Sequence, residues 1–536
     1  MLSAPANMKG ATVERNGKAV RSAGVLMHVT SLPGPNGIGD LGPAARDFVD
    51  WLQVARQSWW QVLPLGPAGA GDSPYQCYSA VAGDPRLISP DDLARDGLAT
   101  RAEVKELARR AGANKGKANF AAAALKLELV ARVAARLQKS NLRRAFETFR
   151  AQNASWLDDY ALFMALRERS HGAWQDWPVG IVTRKPRALD AARRDLADRV
   201  VVHQLGQFLF FRQLDALRAY ARERGVRLIG DLPIYVSPDS ADVWARPELF
   251  LLDRSRRPTA VAGVPPDYFS ATGQRWGNPL YDWPAMRRDG FAWWIDRVRA
   301  TLRQVDLVRV DHFRGFAGYY KIPAHLPTAV GGKWVKAPGT ELFQTLQGEL
   351  TDSRLCPPKG SSGQTRMSAP LKSTLPLIAE DLGVITPDVE ALRDDFGLPG
   401  MRVLQFAFGG PGDGRDPFLP HNYVENAVAY TGTHDNDTTA GWWQSLDARA
   451  KARARAYLGD VTGDDVAWTM TRAVWQSVAR LAVAPVQDVL GLGTAARMNQ
   501  PGTGEGNWSW RLRDGQLTRK HAESLGTMTQ ASGRGA

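Results

Sequence analysis

Eight short apolar runs, each closing on polar residues, constrain this chain more than any other feature. They are Gly24–Val29 (ending near His28), Trp59–Leu65, Val226–Leu232, Leu307–Asp311, Leu375–Glu380, Met401–Phe408, Ala427–Thr433 and Val486–Leu492. Each is rich in β-formers and apolar on both faces, as a parallel strand covered by helices must be. Amphipathic helical patterns accompany several of them, at Asp47–Ala55, Phe208–Arg224, Phe291–Gln304 and Asp388–Asp395. Strands alternating with helices predict a parallel sheet, and eight strands can close into an α/β fold of the (β/α)8 TIM-barrel type. The 536 residues suffice for such a barrel, commonly roughly 250 to 400 residues, with insertions.

The spacing between runs places the insertions. The gap between the second and third runs is too long for one crossover, and residues 91–199 are expected as a helical subdomain. Residues 237–283, rich in Pro, Gly and aromatics, are expected as a substrate loop, and the Ser/Gly/Pro/Lys-rich residues 355–374 as a mobile loop. Residues 23–522 then form the catalytic unit, flanked by tails at 1–22 and 523–536.

Charge could suggest nucleic acid or a membrane surface, because the net charge is +13. The distribution argues otherwise: Arg101–Arg150 holds 13 Lys/Arg against 4 Asp/Glu in an Ala-rich helical stretch, which predicts a solvated basic face. The two cysteines, Cys77 and Cys356, have neither CxxC spacing nor a His cluster, which argues against a zinc site or a disulfide framework. Reduced thiols, no apolar run of membrane-spanning length and no hydrophobic core in Met1–Ser22 lead us to expect a cytoplasmic protein without membrane association.

In a TIM barrel the chemistry sits at the C-terminal ends of the strands. The polar residues there are Asp231, Arg309, Asp311, His312, Glu380, Asp381, His434, Asp435 and Asp437. Singly, each has another explanation. Asp231 could cap a helix, the Glu of AED could do the same, and HDND (434–437) could ligate a metal. Together, carboxylates closing four strands converge on one rim. Glycosidic cleavage needs two of them, one attacking or stabilising the cationic sugar and one protonating the leaving oxygen, about 5 to 5.5 Å apart if configuration is retained. Arg309, two residues before Asp311, faces the same side of the strand and would hold a nucleophile ionised, whereas the acid needs an apolar setting. Aromatic residues supply the second clue: Tyr75, Tyr78, Tyr268, Phe269, Trp276 and Trp508 lie in Gly/Pro/Asn-rich loops, where they can stack on sugar rings or merely buttress the insertions.

These residues lie in long motifs: SLPGPNGIGDLG (Ser31–Gly42), QVLPLGPAGAGDSPYQCYSAVAGDP (Gln61–Pro85), GDLPIYVSPDSADVW (Gly230–Trp244), GVPPDYFSATGQRWGNPLYDW (Gly263–Trp283), RVDHFRGF (Arg309–Phe316), IAEDLG (Ile378–Gly383), TGTHDNDTT (Thr431–Thr439) and ARMNQPG (Ala496–Gly502). From about Ala23 to Leu512 the chain resembles the 4-α-glucanotransferases (amylomaltases, or disproportionating enzymes) of glycoside hydrolase family seventy-seven, relatives of the α-amylases. The resemblance implies a retaining double displacement through a covalent glucosyl-enzyme. Asp311 would be the nucleophile, Glu380 the acid/base and Asp435 the carboxylate that holds sugar hydroxyls and stabilises the transition state. It implies Tyr75 as a donor-side platform, Arg309 beside the nucleophile, and Asp231 and His434 as hydroxyl-binding residues. Asp267 and Trp276 would lie in one loop over the cleft, and Asn499 and Pro501 in another.

The resemblance further implies maltooligosaccharides and other α-1,4-glucans as donor and acceptor, and closure of long donors into cycloamyloses. It implies no metal, no organic cofactor and no C-terminal β-sandwich domain. Monomer and dimer are both compatible with it. Two stretches depart from it: the tail before Ala23, and Leu355–Thr374, inserted just before the run that carries Glu380. An α-glucan hydrolase would use the same carboxylates, whereas a binding protein would have lost one and a nucleic-acid binder would depend steeply on salt.

Overall fold

The computed structural model describes residues 14–15, 18–19, 21–137, 139–170, 172–266, 270–352, 375–410 and 412–535. At its centre are eight parallel strands: β1 (Ser22–Leu26), β2 (Trp59–Gln61), β3 (Arg227–Leu232), β4 (Leu307–Val310), β5 (Leu377–Ala379), β6 (Gly400–Val403), β7 (Ala427–Tyr430) and β8 (Leu481–Pro485). They are hydrogen-bonded in the order β5-β4-β3-β2-β1-β8-β7-β6. Across the remaining seam the Ala379 amide donates to the Pro399 carbonyl at 2.9 Å. The sheet is therefore a nearly closed (β/α)8 barrel, as the alternation of runs predicts.

Strand pleating divides the side chains into two layers. Leu26, Trp59, Ile229, Ile378, Met401, Val403, Val428, Tyr430, Leu481 and Val483 pack together inside the barrel. Their neighbours, such as Val25, Leu228, Val308, Leu377, Ala429 and Ala482, face outward into the larger core beneath the helices. That outer core is supplied by helices such as Pro43–Val54, which starts on a proline and buries Ala45, Phe48, Val49 and Leu52 at helical spacing.

Three boundaries differ from the sequence expectation. The eighth strand is Leu481–Pro485, and Val486–Val489 within the expected run is helical. LAVAP is the shorter of the two segments but is apolar throughout, and all five of its residues are buried between β7 and β1. The run Met401–Phe408 is strand only to Val403 and continues as a 3-10 turn, Leu404–Phe408. Residues 523–535 are not a tail: the helix Arg519–Ala531 buries Ala522, Leu525 and Thr529, and beyond it Arg534 is fully buried. Arg534 donates to the carbonyls of Ser22 (3.0 Å) and Ser477 (2.8 Å), tying the chain end to the start of β1 and to the approach to β8.

The helical insertion runs without a break into the barrel, because its last element, Ala197–Glu223, is itself the crossover helix to β3. The long helix Arg143–Arg169 packs along it through Phe146, Phe149, Phe208 and Phe211. Lys126, almost fully buried, pins the insertion to the loop after β1 by an ion pair to Asp40 at 3.1 Å. The 237–283 segment contributes Ala260–Val264 and Gln274–Pro279 to a four-stranded antiparallel sheet with Gly318–Pro323 and Lys333–Lys336. Asp267, Tyr268, Phe269, Cys356, the 355–374 insertion and most of the N-terminal tail lie outside the described residues. Among the described residues no helix is long and apolar enough to cross a membrane.

Candidate active site

The pleat that points Ile229 and Ile378 into the barrel also turns the second residue beyond each of them inward, at the C-terminal rim. Asp231 and Arg309 are register partners on β3 and β4. Arg309 is the hub of the site. Its Nη1 donates to Asp231 Oδ2 at 2.7 Å, and its Nη2 pairs with Asp311 Oδ1 at 2.9 Å. Both Arg309 and Asp231 are almost sealed from solvent, whereas the Asp311 side chain is 28% exposed. Burial disfavours the guanidinium charge, but Asp231 and Asp311 outweigh it and leave the Arg309 pKa well above its usual value. Burial pushes the Asp231 pKa up, against the pull of Arg309.

Glu380 stands one position past the β4–β5 pair Val310↔Ala379, as Asp311 does on its own strand. Neighbouring strands lie about 4.8 Å apart, which suits the separation of a retaining carboxylate pair. Two backbone amides hold the Glu380 carboxyl: His312 N–H at 2.6 Å from Oε2 and Leu382 N–H at 2.9 Å from Oε1. His312 offers its amide from a left-handed conformation, φ 51°. Burial pushes the Glu380 pKa up to about 8, with Arg309 opposing and Asp311 reinforcing the shift. The pair thus consists of a half-buried carboxyl on an arginine and a neighbouring carboxyl that burial holds protonated at neutral pH.

The opposite wall comes from the loops after β2, β7 and β8. The Tyr75 hydroxyl donates to Asp231 Oδ2 at 2.8 Å, and its ring stacks on His434 at 5.2 Å between centroids. Trp508 closes the group, 5.7 Å from Tyr75 and 6.0 Å from His434. Asp435 Oδ1 accepts from Asn499 Nδ2 at 2.6 Å and lies 3.3 Å from His434 Nε2. Arg497, which the motif reading does not single out, locks this loop by donating to the carbonyls of Asp435 and Asn499 at 2.6 and 2.7 Å. On the Glu380 side, Trp276 meets the His312 ring edge-on at 4.8 Å.

Two rim candidates and one loop aromatic fall outside this arrangement. Asp381 is buried on Arg393 (2.6 Å) and the Met401 amide (2.7 Å), bracing β5 against β6. Asp437 turns away to the Thr438 amide and the Thr494 hydroxyl, so HDND does not converge on one point. Tyr78 is covered by Arg167, whose guanidinium lies 4.2 Å above the ring. Asp267 lies outside the described residues. His28 closes β1 beside this wall; the rule that strand-end polar residues line the site points to it, but a search for carboxylates passes it over.

A parallel eightfold barrel whose C-terminal rim pairs an arginine-bound carboxylate with a buried acid, faced by an aromatic wall, defines a carbohydrate-active enzyme of the two-carboxylate type. The glycoside hydrolase family 77 profile, described as 4-alpha-glucanotransferase, matches residues 27–518. The chain is 49% identical over 528 residues to the 4-alpha-glucanotransferase of Thermus thermophilus, covering 96% of this chain and 99% of that protein. It is 47% identical over 520 residues to the Synechocystis 4-alpha-glucanotransferase, covering 96% and 98%. The structure of amylomaltase from Streptococcus agalactiae in complex with acarbose superposes with a TM-score of 0.89 at 38% identity, covering 96% of this chain and all of that one. The chain belongs to the 4-alpha-glucanotransferases of glycoside hydrolase family 77.

Proposed function

We propose that Asp311, Glu380 and Asp435 carry out the transfer of α-1,4-glucan segments between maltooligosaccharides by double displacement. The observation that carries the assignment is the contrast between neighbours: Asp311 is bound to Arg309, while Glu380 is buried on two backbone amides. In the first step protonated Glu380 gives its proton to the glycosidic oxygen as Asp311 attacks the anomeric carbon. The reducing-end fragment leaves, and the glucan remains as an ester on Asp311. In the second step Glu380, now a carboxylate, takes the proton of an acceptor 4-hydroxyl, which attacks the same carbon and frees Asp311.

Asp435, oriented by Asn499, and the inner group of Asp231, Arg309 and His434 would hold the hydroxyls of the reacting sugar. Tyr75 would supply its stacking surface and Trp276 a wall towards the acceptor. Acceptor loops that hold a sugar and limit water favour transfer over hydrolysis. The proposal takes α-1,4-glucans as both donor and acceptor and the cytoplasm as location. It requires no metal or organic cofactor and works in a monomer or a dimer.

The test is a product profile from maltotriose with a chelator present, alongside Asp311→Asn and Glu380→Gln. Glucose and longer oligomers at constant reducing-end concentration, with both variants inactive, are expected. Rising reducing ends would make the chain a hydrolase, and an active Asp311→Asn would remove the nucleophile assignment.

A further inference from the structure

His28 follows β1 into the cleft beside His434 and Trp508, and the reaction above gives it no role. Its Nδ1 accepts the backbone N–H of Leu63 at 3.3 Å. That nitrogen therefore carries no proton, and the neutral ring must hold its proton on Nε2. Burial, reinforced by the nearby His434, lowers the His28 pKa to about 3, so the ring is neutral at pH 7.

The side chain is only 7% exposed. Among the described residues nothing hydrogen-bonds to Nε2, yet that atom is not sealed off from solvent. The ring lines a pocket with Thr30, Pro74, Arg86, Phe120 and Trp508, next to the Tyr75 platform. An N–H that faces the cleft without a protein partner is available to whatever acceptor the cleft holds. A fixed donor beside a tryptophan face matches a sugar, which offers hydroxyl oxygens at its edge and an apolar surface on its face.

We propose that His28 is a substrate-positioning residue on the donor side, its Nε2–H donating to a hydroxyl oxygen of the glucan unit seated by Tyr75 and Trp508. This rests on the transferase reading of the site. No bond is made or broken at His28; it orders the donor so that the anomeric carbon meets Asp311. The competing role is a plug whose bond to Leu63 merely fixes the exit of β2.

Two variants separate the two ring nitrogens. His28→Asn keeps an acceptor for the Leu63 amide and lacks the outer donor. His28→Gln places an amide N–H near the Nε2 position and gives up the inner acceptor. Both would be measured with wild type for maltotriose disproportionation and for Tm. His28→Asn is expected to lose about 10- to 100-fold in kcat/KM, as removal of one buried hydrogen-bond donor implies, with Tm near wild type. His28→Gln is expected to keep activity within about threefold, even where Tm falls. Full activity in His28→Asn, or equal losses in both variants that track Tm, would make the ring a plug and overturn the proposal. A wild type that hydrolyses maltotriose without transfer would overturn the transferase reading instead, a result visible before any variant is compared.

Discussion

The amide of His312 lies 2.6 Å from Oε2 of Glu380, so the residue that follows the proposed nucleophile holds the carboxyl of the proposed acid. This bond joins the ends of β4 and β5 together with the backbone bonds from Glu380 N–H to the Val310 carbonyl and from Phe313 N–H to the Glu380 carbonyl, both 3.1 Å, at a His312 whose backbone is left-handed.

Position 312 should therefore tolerate residues by their backbone preference. His312→Asn, which adopts left-handed φ at little cost, should retain most activity, whereas β-branched His312→Val is strained there. The Val variant is expected to lose kcat by about 10- to 100-fold through a misplaced Glu380. Steady-state kinetics of the two variants check this, and equal kcat values would show that the left-handed turn does not position the acid.

As the proposed general acid, Glu380, with a pKa of about 8, would set the alkaline limit of the first chemical step. Activity should hold through neutral pH and fall as pH rises through 8, because the general acid must carry its proton. The stability effect has the same sign. The folded pKa lies above the unfolded value, so the protonated form favours the fold; that contribution is complete in acid and is lost as pH rises through 8. Glu380→Gln should gain Tm over wild type at pH 9 and show no such gain at pH 4, which thermal melts at the two pH values measure.

Arg309 is the shared cation of two acids, one of them sealed in the barrel. Arg309→Met should abolish transfer and also destabilise the fold by about 3–5 kcal/mol, because it leaves the buried Asp231 without its counter-charge, with only the Tyr75 hydroxyl still bonded to it. The double variant with Asp231→Asn should recover part of that stability and none of the activity. Denaturation midpoints for the two proteins provide the test, and a single variant as stable as wild type would contradict the pairing.

Arg534 predicts a separation of stability from chemistry. Its guanidinium joins Ser22 and Ser477 on the face of the barrel remote from the catalytic rim. Arg534→Ala takes a donor from the Ser22 and Trp475 carbonyls, while Arg21 still donates to Ser477; a buried carbonyl left without its donor costs about 1–3 kcal/mol. A Tm lowered by several degrees with kcat/KM unchanged at 25 °C is expected; a specific loss of activity at unchanged Tm would mean that the chain end communicates with the site.

Much of the architecture is legible in the chain because it is local. Short apolar runs flanked by 3.6-residue periodicity give the barrel, and the two-residue pleat places Asp231, Arg309, Asp311 and Glu380 on one rim. Local pattern fails where two neighbouring segments are both apolar. VQDVLGL spaces its apolar residues Val486, Val489 and Leu490 at i, i+3 and i+4, the helical period, whereas LAVAP is uninterrupted and is the segment that pairs with β7 and β1. The chain end fails in the same way: a polar sequence looks like a tail until the surface that covers Leu525 and Arg534 is known.

The residue types, their order and the class of chemistry were thus written into the sequence. The division of labour among them was settled only by tertiary structure. Nothing in IAEDLG distinguishes Glu380 from Asp381 electrostatically, but folding places Glu380 in the cleft on two amides and spends Asp381 on Arg393 and Met401. Likewise Tyr75, His434, Asn499 and Trp508 come from three separate loops and meet only when the barrel closes. The physical reason is that a pKa and a hydrogen-bond geometry depend on what surrounds a group in space, and in a barrel those surroundings come from strands hundreds of residues apart.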